Sequence, residues 1–409
     1  MEDKKYLYKR NNIWWVKVAV PKSQRDKFGY DLRQTTGKSD LNEARSVRNH
    51  IVESLKSKFS ETEKYVPLPS TKFMEKTNID NPQYFHKVVD CQYACPAHTN
   101  VPEYIRLIAQ KKYTDAYMLN WESNVFPGIL GRVCDRPCEP ACRRGRTHEK
   151  SVAICRLKRV TYDYKDDVEK YIPQSPKVKN GKRIALIGAG PASLTVARDL
   201  LPLGYECTIF EKDHKAGGLM RTNIPSFRLP ADVLDEEIYR IINMGAELKL
   251  NSYIEKLKPV IDEYDSVFIG TGAPKGKDLK LKGREISSEN IHIGIDWLTS
   301  IAFEHVKKIG KKVIVIGGGN TAMDCCRSAL RLGATDVKVT VRSPFSQMKA
   351  SEWEIEETME EGIPILDNTS PKEFLFDDKG KLCGVKFEKM EQVEVDGRKK
   401  MQSIFPKTI

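Results

Sequence analysis

The chain has 409 residues, 40% hydrophobic and 30% charged, with a formal net charge of +12 and ten cysteines. That length supports several domains, each able to bury its own core, and the composition is that of a globular protein. No apolar run approaches the roughly 18 residues of a membrane helix, and the opening MEDKKYLYKRNN lacks the apolar stretch of a secretory signal, so a cytoplasmic protein is expected, whose thiols serve metal or redox chemistry and not a disulfide framework.

Residues 1–60 read as a small basic β-β-β-α module. YLYKR, IWWVKVAV and DLRQTTG are short strands between turn signals, and LNEARSVRNHIVESLKSKF repeats apolar residues at helical spacing. The piece resembles the arm-type DNA-binding module of phage-integrase-like recombinases, which implies a DNA contact by residues 1–60. The alternative is a small basic domain with no nucleic-acid role, because the positive charge fits an anionic cofactor or an acidic partner as well. Residues 61–80, containing ETEKYVPLPSTKFME, read as a linker.

From 81 to 175 the pattern is helical and rich in cysteine. In GRVCDRPCEPACRRG, Cys134, Cys138 and Cys142 are spaced as one buried helix face would be, but Pro137 and Pro140 lie between them, and an interior proline costs roughly 3 kcal/mol in a helix. The segment is therefore expected to loop and turn its thiols towards one point. Cys91 and Cys95 precede it in DCQYACPAHTN, and Cys155 follows in VAICRLKR. Structural zinc favours paired Cys-x2-4-Cys knuckles, whereas six cysteines with a Cys-Pro step suit an iron–sulfur cluster better. Arg132, Arg136, Arg143, Arg144 and Arg146 are candidates to offset the cluster's negative charge; solvated arginines are the alternative.

These stretches resemble the N-terminal iron–sulfur domain of the glutamate synthase small subunit (beta chain) and its relatives, including dihydropyrimidine dehydrogenase. That family holds two [4Fe–4S] clusters with interleaved ligands and has a further Cys-x2-Cys before the first run, which this chain lacks. Six cysteines cannot supply eight ligands, so one cluster is expected and two at most. The resemblance implies Cys95, Cys134 and Cys138 as ligands of one cluster. The fourth is Cys142 by spacing or Cys155 by family position, while Cys91 and Cys142 match ligands of the other cluster.

KRIALIGAGPASLTVARDLLPLGYECTIFEK, in the predicted FAD lobe 180–290, is strand, glycine turn, helix and second strand ending in an acid. Gly188 permits the tight turn, and Gly190 lets backbone approach a pyrophosphate at the helix N-terminus. Ser193 stands in the third position, and Glu211, about 20 residues on, is placed for a ribose. The resemblance adds AGGLMRTNIPSFRLP and FIGTGA, implying that Gly217, Gly218, Leu219 and Arg221 lie near the flavin and that Gly272 closes the lobe.

The predicted NAD(P)H domain, 291–409, opens with KKVIVIGGGNTAMDCCRSALRLGATDVKVTVRS. Gly317, Gly319 and Ala322 occupy the three turn positions, and Asn320, Thr321 and Asp324 match the family's GGGNTAMD. Arg342 stands where an NAD site carries an acid, which favours NADPH because arginine pairs with a 2′-phosphate. Cys325 and Cys326 read as packing residues.

The expected fold is multidomain α/β: a small α+β module, a helical iron–sulfur domain, and two Rossmann-like lobes on the two-dinucleotide flavoprotein plan. The resemblance, over about residues 65–395, implies an NADPH-dependent oxidoreductase passing electrons through FAD and iron–sulfur chemistry to a partner subunit or ferredoxin-like protein, with no acid–base residue needed. The family's final return strand to the FAD lobe has no counterpart after VEVDGRKKMQSIFPKTI. An incomplete FAD lobe with weak flavin retention is therefore expected, and the alternative is a truncated or chimeric protein whose N-terminal module binds DNA.

Overall fold

The computed structural model describes residues 6–10, 12–20, 31–60, 89–147, 150–286, 289–395 and 398–408; the predicted linker 61–80 and the first residues of the 81–175 segment lie outside these. The chain divides into two units, residues 1–76 and 77–409.

In the first unit, strands β1 (Leu7–Arg10), β2 (Ile13–Ala19) and β3 (Asp31–Thr35) form an antiparallel sheet in that order. Period-2 alternation sends Trp14, Val16 and Val18 to one face. Helix α1 (Leu41–Ser60) covers that face with Ala44, Ile51, Val52 and Leu55, the apolar stripe of a 3.6-residue period. Asp40 starts the helix by accepting from the amides of Asn42 (2.8 Å) and Glu43 (3.0 Å).

The second unit begins with helices α2 (Asp90–Ala94), α3 (Val101–Ala109), α4 (Tyr113–Asn124), α5 (Pro127–Val133), α6 (Arg144–Thr147) and α7 (Ile154–Asp163). A Cβ on Gly128 would lie 2.4 Å from the Tyr162 ring, and one on Gly131 would lie 2.7 Å from the Arg159 backbone. Glycine there lets α5 and α7 approach closely, which carries Cys134, just past α5, towards Cys155 on α7. Residues 134–143 run as turns and extended backbone, not as helix.

Next comes a parallel sheet of β4 (Arg183–Ile187), β5 (Glu206–Phe210), β6 (Glu247–Lys249) and β7 (Ser266–Ile269), in the spatial order β6-β5-β4-β7. Helices α8 (Pro191–Leu200), α9 (Leu219–Thr222), α10 (Ala231–Ile242) and α11 (Leu257–Glu263) connect its strands. The cysteine-bearing helices share one core with this sheet: Tyr117, Trp121, Phe126, Ile129 and Tyr162 pack with Ile184, Leu186, Ile209, Ile238 and Ile241. Each such side chain, fully buried, contributes about 1.5–3 kcal/mol, so the helices and the first sheet are fastened as one body.

After α12 (Gly294–Ala302), a second parallel sheet of β8 (Lys312–Ile316), β9 (Asp336–Thr340) and β10 (Ile365–Leu366) is covered by α13 (Asn320–Arg331) and α14 (Glu352–Glu360). Cys325 and Cys326 lie in its core beside Met323, Trp297 and Val339. The chain closes with an antiparallel sheet of β11 (Thr369–Phe376), β12 (Leu382–Val395) and β13 (Arg398–Thr408). Its Phe374, Val385 and Phe387 pack with Ile314 and Ile316 of β8.

Candidate functional site

Cys91 lies on α2 and Cys95 caps its end; Cys134 caps α5. All six candidate thiols are free. Burial pushes Cys138 up to about 12, and neighbouring Cys134 and Cys95 add to the effect. Cys155 is raised by burial, with Cys134 adding, and Cys91 by burial and then by Cys142. Burial also acts on Cys95, but hydrogen bonds from Thr99 and from backbone amides outweigh it and the thiol is lowered overall. Cys91 and Cys138 lie in one apolar cluster with Tyr104 and Ile154, and Arg136 N donates to Cys134 Sγ at 3.4 Å. Cys155 donates weakly to the carbonyls of Leu130 (3.3 Å) and Gly131 (3.4 Å), and its amide donates to Glu139 Oε1 at 2.9 Å.

Among the described residues, no three His, Cys, Asp or Glu side chains are grouped so as to hold one metal ion. A cubane takes each thiolate on a different iron, so its ligands stand farther apart than those of a single ion. The donor set, soft thiols from separated segments, fits that group.

Of the predicted arginines, Arg132 is committed to Asp163 (2.7 Å) and Arg143 to Asp90 (3.0 Å), Arg136 lies on the ring of Trp353, and Arg144 is exposed; the side chain of Arg146 is outside the described set. Lys158, 5% exposed, is a buried cation whose charge lowers Cys138, Cys95 and Cys155, and Arg136 lowers Cys155 more strongly. Its Nζ donates to Asn124 Oδ1 (3.4 Å), Asn124 Nδ2 donates to Thr99 Oγ1 (2.6 Å), and Thr99 Oγ1 lies 3.5 Å from Cys95 Sγ. Lys158 was legible: Ile154, Cys155, Lys158, Thr161 and Tyr162 form the buried stripe of α7 at helical spacing. Thr99 and Asn124 carried no such signal.

At the first glycine turn, Gly188 has φ +95, and its amide donates to Phe210 O at 2.7 Å. Gly190 is the N-cap of α8, which no side chain caps, so its first amides remain available to an anion. Gly217 donates to Ala189 O at 2.9 Å, bringing Gly218 (φ +52) so close that a Cβ there would lie 2.8 Å from Gly190 Cα. This backbone cradle stands at the carboxyl ends of the strands, where open α/β sheets bind ligands. Glu211 is buried; its Oε2 accepts from Ala189 N (2.7 Å) and its Oε1 from Asp213 N (3.1 Å), with lone pairs remaining for a ribose. Ser193 is fully buried with an unpartnered hydroxyl, and a Cβ on Gly270 would meet that oxygen at 2.2 Å. Leu219 is exposed, Gly272 has φ +65 with open space around it, and Arg221 is held by Asp235 and the carbonyl of Ala216.

At the second turn, Gly317 has φ +148, and Gly319 caps α13 with open space before it. Ala322 is buried, Thr321 is exposed, and Asn320 Oδ1 accepts from Ser351 N at 2.8 Å. Arg342 is exposed just beyond β9. Asp324 pairs with Arg228 (2.7 Å), which also pairs with Glu354 (2.6 Å). Arg228, on the segment before α10, thus ties the two lobes together.

Residues 84–170 match the family described as dihydropyrimidine dehydrogenase domain II, 4Fe-4S cluster, and residues 182–398 match the pyridine nucleotide-disulphide oxidoreductase family. The chain is 33% identical over 341 residues to the NADPH-Fe(3+) oxidoreductase subunit beta of Geobacter sulfurreducens, covering 80% of this chain and 51% of that one. It is 34% identical over 333 residues to the NADP(+)-dependent formate dehydrogenase subunit beta of Moorella thermoacetica, covering 75% and 46%. To the glutamate synthase [NADPH] small chain of Escherichia coli K12 it is 30% identical over 324 residues, covering 75% and 68%. The chain spans about half the length of the first two of these relatives. Two glycine turns on separate parallel sheets, behind a cysteine-bearing helical segment and with these matches, establish that the chain belongs to the pyridine nucleotide-disulphide oxidoreductase family, in the group with an iron–sulfur segment that includes the glutamate synthase small chain.

Proposed function

We propose that this chain takes reducing equivalents from NADPH at the second glycine turn, moves them by way of FAD at the first, and delivers electrons through iron–sulfur chemistry to a partner protein. When bound, nicotinamide and flavin supply the hydride chemistry and the cluster supplies single-electron steps. The chain's own residues bind and orient. The first amides of α8 and α13 would hold the two pyrophosphates, Glu211 would accept from a ribose, and Arg342 would pair with a 2′-phosphate. Cys95, Cys134 and Cys138 would hold the cluster, with Cys155 as the fourth ligand because its thiol lies 3.3–3.4 Å from the Leu130 and Gly131 carbonyls of α5, the helix that Cys134 ends.

The observation that carries this reading is the core shared by the cysteine-bearing helices and the first parallel sheet. It packs the cysteine-bearing helices directly against the first sheet. The relatives' names differ in the substrate they imply, so the acceptor is assigned by class, as an electron-accepting partner subunit or a ferredoxin-like protein. Residues 1–60 have no role here. The family matches begin at residue 84 and lend the DNA-contact alternative no support.

The test is anaerobic purification with iron, sulfide and flavin quantified beside an absorption spectrum, then addition of NADPH with a one-electron dye. About four iron and four sulfide per chain, FAD bound with the weak retention expected of the lobe, and dye reduction by NADPH in preference to NADH support the reading. A colourless protein ends it.

A further inference from the structure

The loop that carries Cys134 and Cys138 is bound to the second lobe as well as to its own helices. Ser351 occupies the N-cap position of α14 with extended backbone (φ −63, ψ 143), yet makes no side-chain cap hydrogen bond. A serine there ordinarily accepts from the first-turn amides. Its hydroxyl instead donates to Asp135 Oδ1 at 3.3 Å and accepts from Asn320 Nδ2 at 3.3 Å, while its amide donates to Asn320 Oδ1 at 2.8 Å. The amides of Lys349 and Ala350 add bonds of 3.0 and 2.9 Å to the Gly318 carbonyl. Asp135, the neighbour of Cys134, is therefore joined through one serine to Asn320, the first residue of the helix that opens on the second glycine turn.

Arg136 makes a second contact. It is held at φ +54, its amide donates to Cys134 Sγ at 3.4 Å, and its guanidinium lies 4.3 Å from the centre of the Trp353 ring. Its buried Nε finds no hydrogen-bond partner. A non-glycine residue keeps a left-handed conformation only where its surroundings hold it, and Trp353, on α14, is part of that hold.

We propose that these contacts couple nucleotide occupancy at the second turn to the conformation of the loop bearing Cys134 and Cys138. Asp135 and Arg136 are positioning residues acting through Ser351 and Trp353. The proposal rests on the reading of the second turn as an NADPH site. A nucleotide that orders the Asn320–Ser351 junction orders the thiol-bearing loop, and by reciprocity a cluster held in that loop changes nucleotide affinity by the same factor.

The test is amide hydrogen exchange of the anaerobically reconstituted full chain with and without saturating NADP+, with binding followed by calorimetry. NADP+ is expected to slow exchange across residues 134–143 by about fivefold or more. Ser351→Ala and Trp353→Ala are expected to lessen the slowing while NADP+ still binds, and Trp353→Phe, which keeps a ring, to retain it. Asp135→Ala makes the same test without altering the second lobe. NADP+ that binds the wild type and leaves residues 134–143 unchanged, or full slowing in Ser351→Ala and Asp135→Ala alike, overturns the coupling alone. NADP+ that does not bind removes the reading of the second turn, and the coupling with it.

Discussion

Replacing Arg228 by alanine removes a cation that two buried carboxylates share. Its guanidinium reaches Asp324 at 2.7 Å and Glu354 at 2.6 Å, and those acidic side chains are 5% and 4% exposed. Arg327 remains 3.1 Å from Glu354, so the loss falls mainly on Asp324, which burial already raises to about 6 against the pull of Arg228. Removing one partner of a buried pair costs about 3–5 kcal/mol. With Glu354 still compensated, the lower end applies, about 3 kcal/mol in full and about 2 kcal/mol at pH 8. Without Arg228 the folded pKa of Asp324 rises further above its unfolded value. The difference between variant and wild type is therefore full above the variant's pKa and fades as pH falls below about 6, where Asp324 is protonated in both folded proteins. Urea denaturation followed by tryptophan fluorescence at pH 5 and pH 8 measures this. A loss under about 0.5 kcal/mol, typical of an unremarkable surface change, or an equal loss at both pH values, refutes a buried ionic tie between the lobes.

Cys138→Ser is expected to lose most iron and sulfide on reconstitution, whereas Cys383→Ser, at an exposed position, retains them; equal iron in the two variants contradicts the ligand assignment. Gly218→Ala brings a Cβ 2.8 Å from Gly190 Cα at φ +52, whereas Gly362→Ala has φ +79 and open space, so both carry left-handed strain of about 1–2 kcal/mol and only the first is expected to lower FAD content. Equal flavin retention would show that the cradle does not hold the cofactor. Arg342→Ala should weaken NADP+ binding by about 10–150-fold, the equivalent of a charged hydrogen bond of about 1.5–3 kcal/mol, and leave NAD+ binding unchanged; calorimetry with the two nucleotides decides.

Much of the site was legible because its parts are local. Strand, glycine turn, helix and acid follow one another within about 30 residues, and the conformations at Gly188 and Gly317 come from short patterns that need no distant partner. Pro137 and Pro140 likewise decide that residues 134–143 cannot be helix. Packing refines the set of cations beside the thiols: Arg132 and Arg143 are paired with Asp163 and Asp90, Arg136 acts on Cys155, and Lys158, which the stripe of α7 marks as buried, joins it.

By itself the sequence determined which chemistry the chain carries: soft thiols, two backbone cradles for pyrophosphate and a cation at the end of β9. Tertiary structure alone decided how these parts meet. The helix that Cys134 ends lies against the helix that carries Cys155 because Gly128 and Gly131 let the two close on each other. Arg228 finds Asp324 from 96 residues away, and Asp135 finds Ser351 across 216. Such contacts depend on how whole elements pack, and no short stretch of residues encodes that.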